Sequence, residues 1–131
     1  MDPLPPYAQF LGISRRRSDA GELMFVMPFA EVVLGRPGFL HGGAIAGLLE
    51  FAAIGAIYEA LGSREGVTVK PINVTVNFMR GGAQHDTFAA ANVTRLGNRV
   101  ANVEAHAWQL DRGKPIAAAQ LNVLLRRGQA G

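Results

Sequence analysis

The chain has no cysteine among its 131 residues. That excludes disulfides, thiolate-ligated metals and a thiol nucleophile. Charge is also sparse, at 18% of residues, below the usual share of about a quarter. So small a domain with so little charge points to surface hidden by self-association. Lysine is nearly missing: Lys70 and Lys114 are the only two, so eleven of the 13 basic residues are arginine. Set against 10 acids they leave a net charge of +3, which is too little for a nucleic-acid binder but favourable to a small polyanion. No phosphate-loop or dinucleotide glycine fingerprint is present. The three histidines lack ligand spacing, so no metal is expected. Met1 to Pro6 lacks the basic start and apolar core of a secretory signal, which leads to a cytoplasmic expectation.

Apolar residues make up 49% of the chain, enough to exclude disorder and to build one core in a single domain spanning residues 1–131. Residues 1–8 read as a loose, proline-rich arm leading into a short helix near Tyr7–Leu11. A hairpin follows, with Gly12–Arg17 and Glu22–Pro28 around the turn residues Ser18 to Gly21. After a loop, His41–Leu61 reads as one long helix ended by Gly62, apolar all round and therefore expected to be buried on all sides. Glu50 within this run, and the sheet-like segments after it, argue against a membrane span. Those segments centre on Ile72–Phe78, Thr87–Leu96, Ala101–Ala107 and Ala117–Leu125. Their period of two predicts a meander of four antiparallel strands. The fold class is α+β, a long central helix wrapped by a curved antiparallel sheet.

The segment Pro37–Glu50 carries the chemistry. Gly42 and Gly43 stand where the helix starts, so a substrate carbonyl can approach free backbone N–H groups at the positive end of the helix dipole. Such donors, Gly43 foremost with Gly42 beside it, would stabilise the oxyanion formed when a substrate carbonyl is attacked. Glu50 is an acid in otherwise apolar surroundings, suited to activating water or to attacking the carbonyl itself. The residues leave that choice open. His41 either orients substrate or holds the glycine turn as a cap.

These residues resemble the hotdog-fold acyl-CoA thioesterases, in the branch that includes the phenylacetate-pathway enzymes. Gly38, His41, Gly42, Gly43 and Glu50 match that family's Gly-x-x-His-Gly-Gly signature with its acid nine positions after the histidine. The likeness runs from Gly12 to about Leu125. It implies hydrolysis of acyl-CoA to acid and free CoA, with CoA as part of the substrate and no separate cofactor. It also implies sites between subunits, in a homodimer or a dimer of dimers. Two positions depart from the family: Gly35 stands where asparagine is frequent, and Pro71 where serine or threonine is frequent.

Distance supports the shared site independently. Gly43 and Glu50 are seven residues apart, roughly 10 Å along one helix. A glutamate cannot span that, whereas an antiparallel twofold pair of helices would bring Glu50 of one subunit to the glycines of the other. For the CoA phosphates the candidates are Arg80, Gly81, Gly82, Asn98 and Arg99. Phe39, Phe51, Ile54 and Tyr58 are the candidates for an acyl pocket. Two other functions fit the same fold: an acyl-CoA-binding protein without turnover, and an enoyl-CoA hydratase or dehydratase.

Overall fold

The computed structural model describes residues 3–128. Residues 1 and 2 of the expected arm lie outside that range. The rest of the arm is more ordered than a loose tail: Pro5 and Pro6 start the short helix α1 (Pro6–Phe10), whose Ala8 is fully buried. Strands β1 (Ser14–Arg17) and β2 (Leu23–Met27) form the expected hairpin. Ser18 closes its turn, its Oγ accepting from Glu22 N–H at 3.1 Å, while Gly21 takes the φ of +87° that a side chain would resist.

Helix α2 (Gly42–Leu61) is capped by His41 at one end and by Gly62 at the other, with φ +80°. Strands β3 (Val67–Phe78), β4 (Thr87–Leu96), β5 (Val100–Trp108) and β6 (Ala117–Arg127) complete one antiparallel sheet. On β5, Ala101, Val103, Ala105 and Ala107 point inward; on β6, Ala117, Ala119, Leu121, Val123 and Leu125 do. The alanines bring the helix close to the sheet. Leu48, Leu49 and Ile57 of α2 are fully buried against this face, each worth roughly 1.5–3 kcal/mol. The helix is long and apolar enough to cross a membrane, yet half of its most apolar window is buried inside the fold.

The structure corrects three expectations. The four later strands are not a meander in chain order. The sheet runs β1-β2-β4-β5-β6-β3, so β3 crosses over and pairs with β6 at the outer edge. Secondly, α2 is not buried on all sides. The sheet covers one side and α1 part of another, where Tyr7 lies over Gly47, leaving Gly43, Ala46, Glu50 and Ile54 along an open or half-open stripe. Thirdly, most of the alternating apolar residues of β3 do not reach the core: Ile72 and Phe78 are each 55% exposed and Val74 is 36% exposed, while Val76 packs against the core from a half-buried position. An edge strand beyond the helix has nothing within its own chain to cover it. Its register slips by one residue beside Pro71, which fits an edge position because proline has no N–H for a second ladder.

Candidate active site

Three backbone bonds build the turn before α2. The Leu40 N–H donates to the Gly82 carbonyl at 2.9 Å, the His41 N–H to Val33 at 2.8 Å, and the Gly35 N–H to Phe39 at 2.9 Å. Gly35 lies so near that a Cβ there would come within 3.1 Å of the His41 Cα. Glycine at this position therefore fits the close packing on His41, and it supplies no polar helper. Gly81 and Gly82 serve packing too: a Cβ at Gly81 would meet the Phe39 ring at 2.8 Å, and one at Gly82 would meet Leu40 at 2.9 Å.

At the helix start, the Gly43 N–H donates to His41 Nδ1 at 2.8 Å. The capping alternative for His41 is thus the observed geometry. With Nδ1 accepting, a neutral imidazole carries its proton on Nε2. The Gly43 N–H is occupied, whereas the Gly42 N–H has no partner among the described residues. Gly42 also borders a pocket of about 360 Å³. Phe78 lies over it, with its ring 3.2 Å from where a Gly42 Cβ would stand.

That pocket brings together Gly42, Phe39, Arg80, Gly81 and Gly82 from the sequence-predicted set. It adds Arg36, Phe78 and Met79, which sequence reading missed. Arg36 stacks on Phe39 with its guanidinium carbon 4.2 Å from the ring centre. Phe78 and Met79 were legible only as apolar strand residues, and nothing in their period shows that β3 ends beside the helix N-terminus.

Other candidates lie elsewhere. Glu50 is half-buried on the open stripe of α2, eight residues and roughly 12 Å from Gly42. Among the described residues no side chain pairs with it. Asn98 and Arg99 occupy the β4–β5 turn, at the end of the sheet where β3 begins and β6 finishes, where Asn98 O accepts from Arg127 Nε at 3.1 Å. Arg80 follows the other end of β3. One subunit cannot bring both arginines to one ligand. The four acyl-pocket candidates do not converge either. Phe39 borders the Gly42 pocket, Phe51 packs against Tyr7 with ring centres 6.3 Å apart, Ile54 is half-buried on the open stripe, and Tyr58 lines a separate groove. His85 is exposed on a loop, while His106 is half-buried on the outer face of the sheet.

Comparison with known proteins places this geometry. Residues 37–116, more than half of the chain, match the thioesterase superfamily. A candidate esterase of Halobacterium salinarum is 32% identical over 98 residues, covering 72% of this chain and 64% of that protein. The chain therefore spans less than two thirds of that relative's length. A protein of Chromobacterium violaceum is 35% identical with a TM-score of 0.69, over 91% of this chain and 82% of its own. A candidate thioesterase of Ralstonia eutropha related to phenylacetic acid degradation is 25% identical with a TM-score of 0.78, over 94% and 92% of the two chains. A Bacillus halodurans protein solved with CoA is 18% identical with a TM-score of 0.83, over 96% and 82%. The long helix in its curved sheet is the hotdog fold that the sequence resemblance implied, and the chain belongs to the thioesterase superfamily.

Proposed function

We propose that this protein hydrolyses acyl-CoA thioesters at sites shared between two subunits. The observation that carries the reading is the pairing of an open Gly42 N–H at a pocket with an unpartnered Glu50 on the open stripe of the same helix, roughly 12 Å away. Antiparallel association of two such helices brings each Glu50 to the partner's Gly42. The small residues Gly43 and Ala46 allow that approach, and the exposed apolar edge of β3 lies alongside to be covered.

In this arrangement the thioester oxygen accepts the Gly42 N–H, which stabilises the oxyanion as attack proceeds. His41 fixes the turn through Nδ1 and offers its Nε2–H toward the site. The partner's Glu50 either removes a proton from the attacking water or attacks the carbonyl carbon directly. In the first course the tetrahedral intermediate collapses by breaking the C–S bond, and the CoA thiolate recovers a proton. In the second, the C–S bond breaks as the CoA thiolate leaves and takes up a proton, an acyl-glutamyl anhydride forms, and water then cleaves it to the free acid and Glu50. Arg36 and Arg80 stand at the pocket for the phosphates, and Asn98 and Arg99 arrive from the partner's opposite sheet end. CoA is the molecule found with the Bacillus halodurans protein of the same fold, which supports this class of substrate. The competing reading, a binder without turnover, draws on Gly35 and Pro71, neither of which supplies a polar group for water.

Mixing variants tests the shared site. Glu50→Gln and Gly42→Ala should each lose thiol release from acyl-CoA. Mixed by unfolding and refolding, they should regain about a quarter of wild-type activity, because half of the dimers are then mixed and each holds one intact site. No recovery, or an active monomer by light scattering, defeats the shared site. Undiminished turnover in folded Glu50→Gln defeats the role of Glu50. Thermal stabilisation by acyl-CoA without any thiol release in the wild type establishes the binder.

A further inference from the structure

We propose that Phe78 determines which acyl groups are used, its ring closing on apolar acyl chains beside the Gly42 N–H. This selection rests on Gly42 being the donor to the thioester.

Phe78 is the last residue of β3. It pairs with Ala117, whose side chain points inward, so its own ring also faces the helix side of the sheet. There it meets Gly42: its Cζ lies 3.2 Å and its Cε1 3.4 Å from where a Gly42 Cβ would stand. The ring tip is therefore within roughly 6 Å of the Gly42 nitrogen. A carbonyl oxygen that accepts this N–H at about 2.9 Å places the groups on either side of the carbonyl in the same shell. A thioester held at Gly42 thus comes up against the ring.

The backbone under the ring is fixed, and the ring is not. The Met79 N–H donates to the Ile116 carbonyl at 2.8 Å and the Arg80 N–H to the same carbonyl at 3.2 Å. The Phe78 side chain is 55% exposed and turns about its own two side-chain bonds. Phe39, the other aromatic of the pocket, is held on both faces. A Cβ on Gly81 would come within 2.8 Å of it, and the Arg36 guanidinium carbon stacks 4.2 Å from its centre. Of the two aromatic walls, Phe78 is the one free to move.

The rest of the lining decides what the ring closes on. Leu40 and Ile45 are buried, Phe39 and Met79 add apolar surface, and the only polar side chains are Arg36 and Arg80. The thiol arm of CoA carries two amides, which apolar walls would leave without hydrogen-bond partners, whereas an alkyl chain has none to lose. The acyl chain is therefore the better occupant. Each methylene that reaches the ring is worth about fourfold in affinity. An acetyl group has no methylene, so it displaces the ring without gaining that contact.

Thiol release and calorimetric binding, each with acetyl-CoA and hexanoyl-CoA, test this. Binding is measured in the Glu50→Gln background, where turnover does not consume the ligand. Phe78→Ala should cut the hexanoyl-over-acetyl ratio, in kcat/KM and in affinity alike, by roughly tenfold. Phe78→Leu keeps an apolar side chain and should keep most of the ratio. An unchanged ratio in folded Phe78→Ala overturns the proposal. So does an equal fall for both acyl-CoAs, which would make the ring a contact for the thiol arm or for the partner subunit. Thiol release without acyl preference in the wild type defeats the role of Phe78 and leaves that of Glu50 standing. Acyl preference in binding without any thiol release does the reverse.

Discussion

Replacing Gly42 and Gly43 separately by alanine divides two neighbouring N–H groups by function. A methyl on Gly42 would stand 3.2 Å from the Phe78 ring, inside the space that a carbonyl must enter. Phe78 is 55% exposed and can swing away, and alanine gains up to about 1 kcal/mol over glycine in a helix. Folding stability should therefore move by less than about 1 kcal/mol. Turnover should fall about 100-fold, because one oxyanion donor is worth about 3 kcal/mol and each 1.4 kcal/mol is tenfold in rate. Gly43→Ala should behave in the opposite way. Its methyl would meet His41 Nδ1 at 3.0 Å, push the imidazole off the Gly43 N–H and remove the cap. The lost cap costs about 1 kcal/mol, offset in part by the helix gain of alanine, while the Gly42 donor stays in place. Thiol release from a panel of acyl-CoAs, read beside urea unfolding of each variant, makes the comparison. Full activity in Gly42→Ala together with a dead Gly43→Ala would refute the assignment and make Gly43 the donor.

Two further outcomes follow from the packing. A methyl on Gly55 would stand 2.6 Å from the buried Phe25 ring, so Gly55→Ala should lose about 1–2 kcal/mol in urea unfolding, the overpacking cost outweighing the helix gain; unchanged stability would mean that the ring has room to move. His106 stacks on Trp108, accepts from Arg112 Nε at 3.1 Å, and has its pKa held below the ordinary histidine value by burial first and Arg112 second, against a smaller opposing effect of Glu22. Above about pH 6.5 both states are neutral at this ring; below it the unfolded chain takes up the proton first, so stability is lost as pH falls toward the lowered folded value. His106→Gln keeps an acceptor for Arg112 without titrating, and its midpoint should fall less between about pH 7 and pH 5 than that of the wild type; parallel curves would refute the linkage.

The local features were legible because each rests on a short-range rule. The apolar run from Ala44 to Tyr58 has the composition of a buried helix, Gly62 takes the left-handed cap, and β4 spans the expected Thr87–Leu96. The glycine pair at the helix start and the lone Glu50 likewise stand out in one dimension. Strand order did not, because the alternation of Ile72, Val74, Val76 and Phe78 is the same whether β3 lies mid-sheet or at an edge. The pocket beside Gly42 was only half legible for the same reason: Arg36, Phe78 and Met79 reach it through loop and sheet pairings remote in the chain.

By itself, then, the sequence determined the helix, its glycine start, its acid and the alternating strands, since propensity, capping and period act over a few residues. Tertiary structure alone decided the rest. It set β3 at an edge, opened one stripe of α2, gathered three consecutive arginines into one groove, and left the Gly42 N–H open by giving His41 to Gly43. Those outcomes turn on which backbone and side-chain groups find partners in space, and a hydrogen bond across 2.8 Å is invisible to a periodicity.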